Sequence, residues 1–272
     1  MTQNLSNLSK GVEKAINTVP ELYADAFQPA VQESGKTLSL IPRTINAALS
    51  YLRQWIAEKE YNVAETEKLL AQKLEKVGQE KIVEPEPYVA VPAFQAISYS
   101  MNNDELRNLY ANLLAKSMMS DTKEFVHPCF VEIIKQMAPI DALVFKTIME
   151  RKYNPIVDLI YEKRDDSSFV PAFATIATNI TDIDVAPECI VSMSIDNLLK
   201  HHLITLCTDS VYTDEDLYAK ILDSEYYKHQ QQTHPDTEDG YKFSCSKYVI
   251  EKTALGKLFY SICVDDTFTL AL

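Results

Sequence analysis

Glycine is scarce in this chain, and the scarcity limits the folds that the chain can adopt. The sequence holds five glycines among 272 residues. Proteins rich in β-structure place glycine in turns and bulges, whereas a glycine inside a helix costs roughly 0.5–1 kcal/mol relative to alanine. The composition therefore favours helices. Apolar residues make up 46% of the chain and charged residues 24%, which is typical of a folded protein rather than a disordered one.

No glycine or proline lies between Pro42 and Gly78. Its apolar residues recur about every 3.5 positions, which predicts a long helix over about residues 43–77. Polar residues interrupt this apolar seam, so packing against other helices of the same chain is favoured, and self-association into a homo-oligomer stays open. The seam contains Ile45, Leu49, Leu52, Ile56, Val63, Leu70 and Val77, with Lys59, Thr66 and Lys73 as the polar interruptions.

The proline-rich segment EPEPYVAVPAF follows the predicted long helix. Its prolines, Pro85, Pro87 and Pro92, predict a boundary or an extended connector. A central helical motif is expected next, over about residues 93–137, with Asn103 or Asp104 as the cap of its main helix. After Pro128, the run FVEIIKQM predicts a shorter amphipathic helix. The apolar positions of the main helix recur at spacings of three and four: Leu106, Leu109, Leu113, Leu114 and Met118.

The pattern changes after residue 138. Pro139 begins a predicted helix, Ser194 is the predicted cap of the helix IDNLLKHHLI, and Thr253 is the predicted cap of a closing helix. The segments LITLC and YKFSCSKYVI are strand-like and could pair. Between them lies an acidic, tyrosine-rich insert over about residues 213–241, whose second half is expected to be a loop. This order predicts a winged-helix-like unit with a short β-hairpin.

The predicted protein is thus mainly α-helical, with a helical region over residues 1–137 and a winged-helix-like domain over residues 138–272. Its net charge is −13, and no run of five basic residues occurs, which disfavours binding to nucleic acid. The predicted recognition helix, from Ser194 to His202, offers Lys200 and two histidines but no arginine. A protein partner is therefore the favoured interpretation, and a DNA-binding regulator stays an alternative.

The cysteines and the first residues of the chain indicate the cellular compartment. The five cysteines are widely spaced and contain no CxxC pair, and the first residues do not have the pattern of a secretory signal. We therefore expect a cytoplasmic protein. The apolar stretch from Thr37 to Ile56 contains Arg43 and Arg53, each of which costs about 2.5–3.5 kcal/mol at a bilayer centre. A helix lying on a membrane surface, as in a membrane-perturbing effector, remains the alternative.

Signatures of familiar enzymes do not occur in the sequence. GxGxxG, GxxxxGK[ST], HExxH and GxSxG are all absent, and no catalytic, cofactor-binding or metal-binding residue is predicted. His127 and Cys129 lie two residues apart around Pro128, a spacing that does not place them on one helix face. We predict a turn in which His127 bonds to the backbone and Cys129 packs in the core. The chain is accordingly expected to act without catalysing a reaction.

Two neighbouring segments carry a family resemblance. ELRNLYANLLAKSM, followed by VHPCFVEIIKQMAPIDA, closely resembles the core motif of the abortive infection alpha family of bacterial phage-defence proteins. The resemblance covers about Val83–Phe145, and KIVEPEP, SIDNLLKHHLI and ALGKLFYSIC are also similar to members of that family. A serine often follows the His-Pro pair of the family motif, where this chain has Cys129.

The resemblance implies a bacterial protein that defends against phage by abortive infection, and it supplies no catalytic residues. Four motif positions carry over to this chain: Asn112, His127, Pro128 and Glu132. For Asn112 and His127 the expected role is structural, namely hydrogen bonds that fasten the two central helices together. An interaction role for these positions is the alternative.

Overall fold

The computed structural model describes residues 63–99, 103–163, 169–178, 188–237 and 240–267. These residues are mainly helical and contain a four-stranded antiparallel sheet, so the predicted mainly α fold is confirmed. The predicted helix over 43–77 is described only from Val63 and ends at Leu74. The stretch from Thr37 to Ile56 lies outside the described residues. None of the described helices is both long and apolar enough to span a bilayer.

The helices of the described ranges are α1 (Val63–Leu74), α2 (Pro87–Tyr99), α3 (Asp104–Ser117), α4 (Cys129–Lys135), α5 (Pro139–Glu150), α6 (Glu188–Lys200), α7 (Asp216–Leu222), α8 (Glu225–Thr233) and α9 (Ala254–Phe259). The strands are β1 (Pro155–Lys163), β2 (Phe169–Thr178), β3 (Ile204–Cys207) and β4 (Tyr241–Lys252). Short 3-10 helices cover Gln79–Lys81 and Lys123–Phe125, and a π-helix, Tyr260–Val264, continues α9.

The described residues fall into two compact units. The first unit contains the described residues within 63–135 and 265–267. The second unit contains the described residues within 136–264. In the first unit, α3 is the central helix and contacts α1, α2 and α4. Its residues from Leu109 to Ser117 are all buried, so this part of the helix is enclosed on every side. The predicted cap is confirmed, because the Asn103 side chain accepts a hydrogen bond from the Leu106 amide at 3.0 Å.

The proline-rich segment is a connector only up to Glu86, so the prediction of a boundary or connector was wrong for the rest of the segment. Pro87 begins α2, where its missing N–H costs nothing, and Pro92 lies inside the helix. A proline at an interior position costs about 3 kcal/mol or more. Burial of apolar side chains offsets this cost, at about 25 cal/mol per Å² of apolar surface. The buried residues of α2 are Val89, Ala90, Ala93, Phe94, Ala96 and Ile97.

The sheet of the second unit has the strand order β2-β1-β4-β3, and every neighbouring pair is antiparallel. The predicted pairing of the two strand-like segments is confirmed as β3 against β4, with Ile204 opposite Lys252. The predicted cap of α9 is also confirmed, since Thr253 Oγ1 accepts from the Gly256 amide at 2.8 Å. The sequence did not predict β1 and β2, which form a hairpin between α5 and α6.

The acidic insert is more ordered than predicted. Its second half contains α8, and α7 precedes it, so a loop assignment there was wrong. Tyr218 and Ile221 of α7 pack against Val157, Leu159 and Phe243 of the sheet in a buried cluster. Tyrosines of the insert and its flanks extend that cluster, which explains the tyrosine-rich composition: Tyr212, Tyr226 and Tyr227.

Ser194 is not a helix cap. The helix α6 begins at Glu188, and Ser194 lies inside it, fully buried. The apolar residues Val191, Ile195 and Leu198 share that buried face, so packing extends the helix past a residue that favours caps when it is exposed. The winged-helix-like arrangement stays a prediction, because a hairpin and two insert helices accompany the predicted elements.

Candidate functional site

Three of the four motif positions lie at the start of α4. The ring Nδ1 of His127 accepts a hydrogen bond from the Cys129 amide at 3.1 Å, which leaves the ring proton on Nε2. The carbonyls of His127 and Pro128 accept from Phe130 and Val131, at 3.0 and 3.2 Å. These bonds lie within the turn that begins α4 and satisfy its first amides. The predicted backbone bond of His127 is therefore confirmed, and this bond does not reach α3.

Glu132 lies in the first turn of α4, where a carboxylate is favoured by the helix dipole. Its carboxylate pairs with Lys135 at 2.7 Å, and both side chains are largely exposed. Such an exposed pair contributes about 0–1 kcal/mol to stability. His127, Pro128 and Glu132 are all exposed, and together they form what we call the α4 motif face. The His127 ring supports the start of α4 through its bond to the Cys129 amide, and all three side chains are exposed to solvent.

Cys129 is partly buried beneath that face. Burial raises the pKa of its thiol, and a hydrogen bond to its own backbone only partly opposes the shift. The thiol thus stays protonated at neutral pH, which is the form of a packed cysteine rather than of a nucleophile. The inner side of α4 anchors the face through four buried apolar residues: Phe130, Val131, Ile133 and Ile134.

The fourth motif position, Asn112, lies in the buried part of α3. Lys116 follows it by four residues, so the two side chains share one face of the helix. Lys116 is only 1% exposed, which is rare for a lysine because burial of an ammonium group is costly unless acceptors surround it. Lys73 of α1 is also directed to this place, as its ion pair shows. We call Lys73, Asn112 and Lys116 the lysine–amide cluster.

A short segment that directly follows the π-helix covers the lysine–amide cluster. Lys116 Nζ donates to the main-chain carbonyl of Asp265 at 2.6 Å. Lys73 Nζ donates to the Asp266 carboxylate at 3.0 Å, and the Asn112 side chain bonds to the same carboxylate. Thr267 closes a local turn by donating its amide and its hydroxyl to the Asp265 carboxylate. Asp265–Thr267 thus presents a carbonyl and a carboxylate to two lysines and an amide.

The charge of Asp266 reflects these contacts. Partial burial raises the pKa of its carboxyl, but the hydrogen bonds from Lys73 and Asn112 and the charges of Lys73 and Lys116 outweigh that effect. The pKa is therefore lowered overall, and the carboxylate is ionised at neutral pH. The arrangement stabilises an anion at this position on the first unit.

Sequence reasoning missed the role of these residues, apart from Asn112. The sequence does mark Lys73 as unusual, because this lysine interrupts the apolar seam of the predicted long helix. Lys116 lies between buried positions of α3, but the hydrophobic pattern of the sequence predicts that a lysine there is exposed. Asp265 lies 149 residues from Lys116, and no local pattern connects the two.

The second unit has a polar junction of its own. Asp141, in the first turn of α5, accepts from the Ala138 amide at 2.7 Å and from the Asn197 side chain at 2.8 Å. Asn197 also donates to the Gln136 carbonyl at 3.0 Å. Both Asp141 and Asn197 belong to segments that carry the family resemblance, APIDA and SIDNLL. Their contacts fix α6 against the start of α5.

The outward stripe of α6 does not resemble a surface for reading DNA. Its exposed residues are Cys189, Met193, Asp196 and Lys200, and the stripe therefore carries one anion and one cation. Burial and the charge of Lys200 lower the pKa of His201, which keeps that ring neutral. Recognition of a duplex usually requires several cations facing phosphate.

Among the residues that the structure describes, no group of three or more His, Cys, Asp or Glu side chains could hold a metal ion. In comparisons with known proteins, no curated protein and no solved structure matches the chain. One family model does match, over residues 58–263, and that family is described as abortive infection alpha.

Proposed function

Because the chain belongs to the abortive infection alpha family, we propose that it is a bacterial anti-phage defence protein of the abortive infection type. It acts by contacting another macromolecule, and the partner is a protein. The α4 motif face is the contact surface. The resemblance to the family places His127, Pro128 and Glu132 in its motif, and the exposure of these three side chains is the observation that carries the proposal.

The chemistry of the α4 motif face supports a protein partner. It combines an imidazole, a rigid proline ring and a carboxylate at the start of one short helix with a buried apolar underside. A net charge of −13 disfavours a phosphate-rich partner, and the α4 motif face carries a carboxylate. Arginine and lysine side chains of a protein partner would instead complement it.

The test is an infection experiment with two matched double variants. The first, His127→Ala with Glu132→Gln, removes the polar groups of the α4 motif face. The second, His229→Ala with Glu105→Gln, makes the same chemical changes at an exposed histidine of α8 and an exposed first-turn glutamate of α3. Bacteria expressing each chain, the unaltered chain or an empty vector are infected at low and high phage multiplicity, and lysis and survival are measured.

We expect the unaltered chain and the control variant to protect cultures at low multiplicity, while cultures at high multiplicity stop growing or collapse. The α4 variant should remain folded by circular dichroism and behave as the empty vector. If the unaltered chain protects no culture across a panel of phages, the defence role is wrong. If both double variants protect equally well, the defence role stands and the α4 motif face is not the contact surface.

A further inference from the structure

The lysine–amide cluster has the geometry of an occupied recognition site within the first unit. Its three side chains come from two helices, with Lys73 on α1 and both Asn112 and Lys116 on α3. They converge on consecutive residues of one segment. Lys116 binds the carbonyl of Asp265, while Lys73 and Asn112 bind the carboxylate of Asp266. Recognition of a main-chain group together with the next side chain is how proteins bind peptides.

The two sides of this contact differ in burial. With the segment in place, Lys116 is 1% exposed and the Lys73 side chain is 11% exposed, and helices of the first unit hold both lysines. The Asp266 side chain is 68% exposed, so water can solvate it without the cluster. An ion pair with one exposed partner contributes little to stability and is weakened by salt. The segment is therefore the removable side of the contact, and the helices α1 and α3 hold the other side.

We propose that the lysine–amide cluster is a binding site for an acidic peptide segment and that Asp265–Thr267 occupies it as an intramolecular ligand. The site recognises a main-chain carbonyl followed by an aspartate or glutamate carboxylate. A partner protein that presents such a pair displaces the segment, because it satisfies Lys116 and neutralises Lys73 in the same way. This site is separate from the α4 motif face and does not depend on it.

The test uses the full chain, in which the reactivity of Lys116 reports whether the cluster is covered. An amine-acylating reagent modifies lysines, and mass spectrometry measures the rate at each one. Asp266→Asn weakens the intramolecular ligand without changing its size. Lys252 of the second unit is the internal control, because its Nζ donates to two main-chain carbonyls of that unit. Circular dichroism checks that the variant remains folded.

The probe is a synthetic peptide with the sequence of residues 264–272, VDDTFTLAL, and its partner has both aspartates replaced by asparagine. We expect Lys116 to react about threefold to fivefold faster in the Asp266→Asn chain, as the loss of an ion pair of this kind implies. The acidic peptide should restore the slow rate, and the asparagine peptide should not. Lys252 should keep one rate throughout.

Three results would overturn the proposal. Lys116 could react at the same rate in the unaltered chain and in Asp266→Asn, which would mean that Asp266 does not hold the segment over the cluster. The two peptides could restore protection equally, or neither could, which would exclude recognition of the carboxylate in a peptide. Inorganic phosphate could restore protection as well as the acidic peptide does, which would make the cluster a site for small anions only. A second variant, Lys73→Gln, should abolish the effect of the acidic peptide.

Discussion

In each of the two units, a lysine ammonium group donates to main-chain carbonyl oxygen, but the accepting residues belong to different kinds of structure. In the second unit, Lys252 of β4 donates to the carbonyls of Met149 and Arg151, each at 2.7 Å, where α5 ends. In the first unit, Lys116 donates to the carbonyl of Asp265 at 2.6 Å. A cation at the end of a helix is favoured by the helix dipole, whereas Asp265 lies just after the π-helix, outside any helix or strand.

The difference lies in what holds the acceptor in place. The acceptors of Lys252 are fixed by α5, whose Phe145 packs edge-to-face on Phe259 of α9 at 5.5 Å between ring centroids. The acceptor of Lys116 is held through polar contacts with Lys73 and Asn112 and through a local turn at Thr267. In the second unit, an apolar framework thus fixes the acceptors of a partly buried lysine. In the first unit, contacts between charged groups hold Asp265–Thr267 over the lysine–amide cluster. Such contacts allow another acidic ligand to replace the segment.

The largest effect is expected from Gly256→Ala in the framework around Lys252. A Cβ atom at this position would lie 1.9 Å from the main-chain oxygen of Leu203, so backbone must move. We expect the free energy of unfolding of the second unit to fall by about 3 kcal/mol, measured by urea denaturation. Gly78→Ala is the control, because its Cβ would meet only the flexible Glu80 side chain. Equal effects of the two substitutions would show that the framework is not rigid.

A smaller loss is expected from Lys252→Met, which keeps most of the side-chain volume. The carbonyls of Met149 and Arg151 lose their donor, and α5 loses the cation at its end. The expected cost is about 1–2 kcal/mol, measured by urea denaturation. Lys257→Met, at an exposed position of α9, should cost much less. A loss for Lys252→Met no larger than for this control would remove the contrast between the two units.

Lys116→Met should have a smaller effect on stability than Lys252→Met. A buried charge replaced by an apolar side chain of similar volume often leaves stability unchanged, because the cost of desolvation disappears with the charge. We expect a change below about 1 kcal/mol in the unfolding of the first unit, together with easier cleavage near residues 265–267 by a protease. Loss of the folded first unit in this variant would mean that Lys116 stabilises the core itself.

The sequence predicted the parts of the fold that local chemistry controls. Asn103 and Thr253 cap helices through bonds to amides three residues on, and such bonds depend on the neighbouring sequence alone. Pro92 was misassigned because burial of α2 overrides the local cost of a proline. The second half of the insert was wrongly predicted to be a loop. Its tyrosines pack on β1 and β4, and the sequence of the insert alone does not indicate these contacts.

The candidate sites divide in the same way. The turn that holds His127 and Cys129 was predicted, since its hydrogen bonds join residues within one turn. The lysine–amide cluster was not, because Lys73 and Asp266 are 193 residues apart and their pairing depends on the whole fold. The resemblance to the family pointed to Asn112 but gave no indication of the aspartate that it contacts.

The smallest expected effect is a dependence on pH that differs in sign between the two units. The pKa of Asp266 is lowered in the folded chain, so its contribution to stability is present above the unfolded value of about 3.9 and is lost as the pH falls below it. Because this carboxylate is mostly exposed, the contribution is below about 1 kcal/mol. Burial raises the pKa of Asp158 on β1, so its ionisation weakens the second unit as the pH rises through the unfolded value.

Urea denaturation of each unit between about pH 3 and pH 7 measures this difference. Asp266→Asn should reduce the pH dependence of the first unit alone, and Asp158→Asn should do so for the second unit alone. The same slope in both units, or no effect of either substitution, would contradict the assigned environments of the two carboxylates.

The contrast between the two lysines is tested most directly by the acylation rates of Lys116 and Lys252 in the unaltered chain at low and at high salt. Salt weakens contacts between exposed charges and has little effect on apolar packing. The Lys116 rate should therefore rise, by about threefold, while the Lys252 rate stays constant. If the Lys116 rate does not respond to salt, or if both rates rise together, the cover of the first unit is not held by charge.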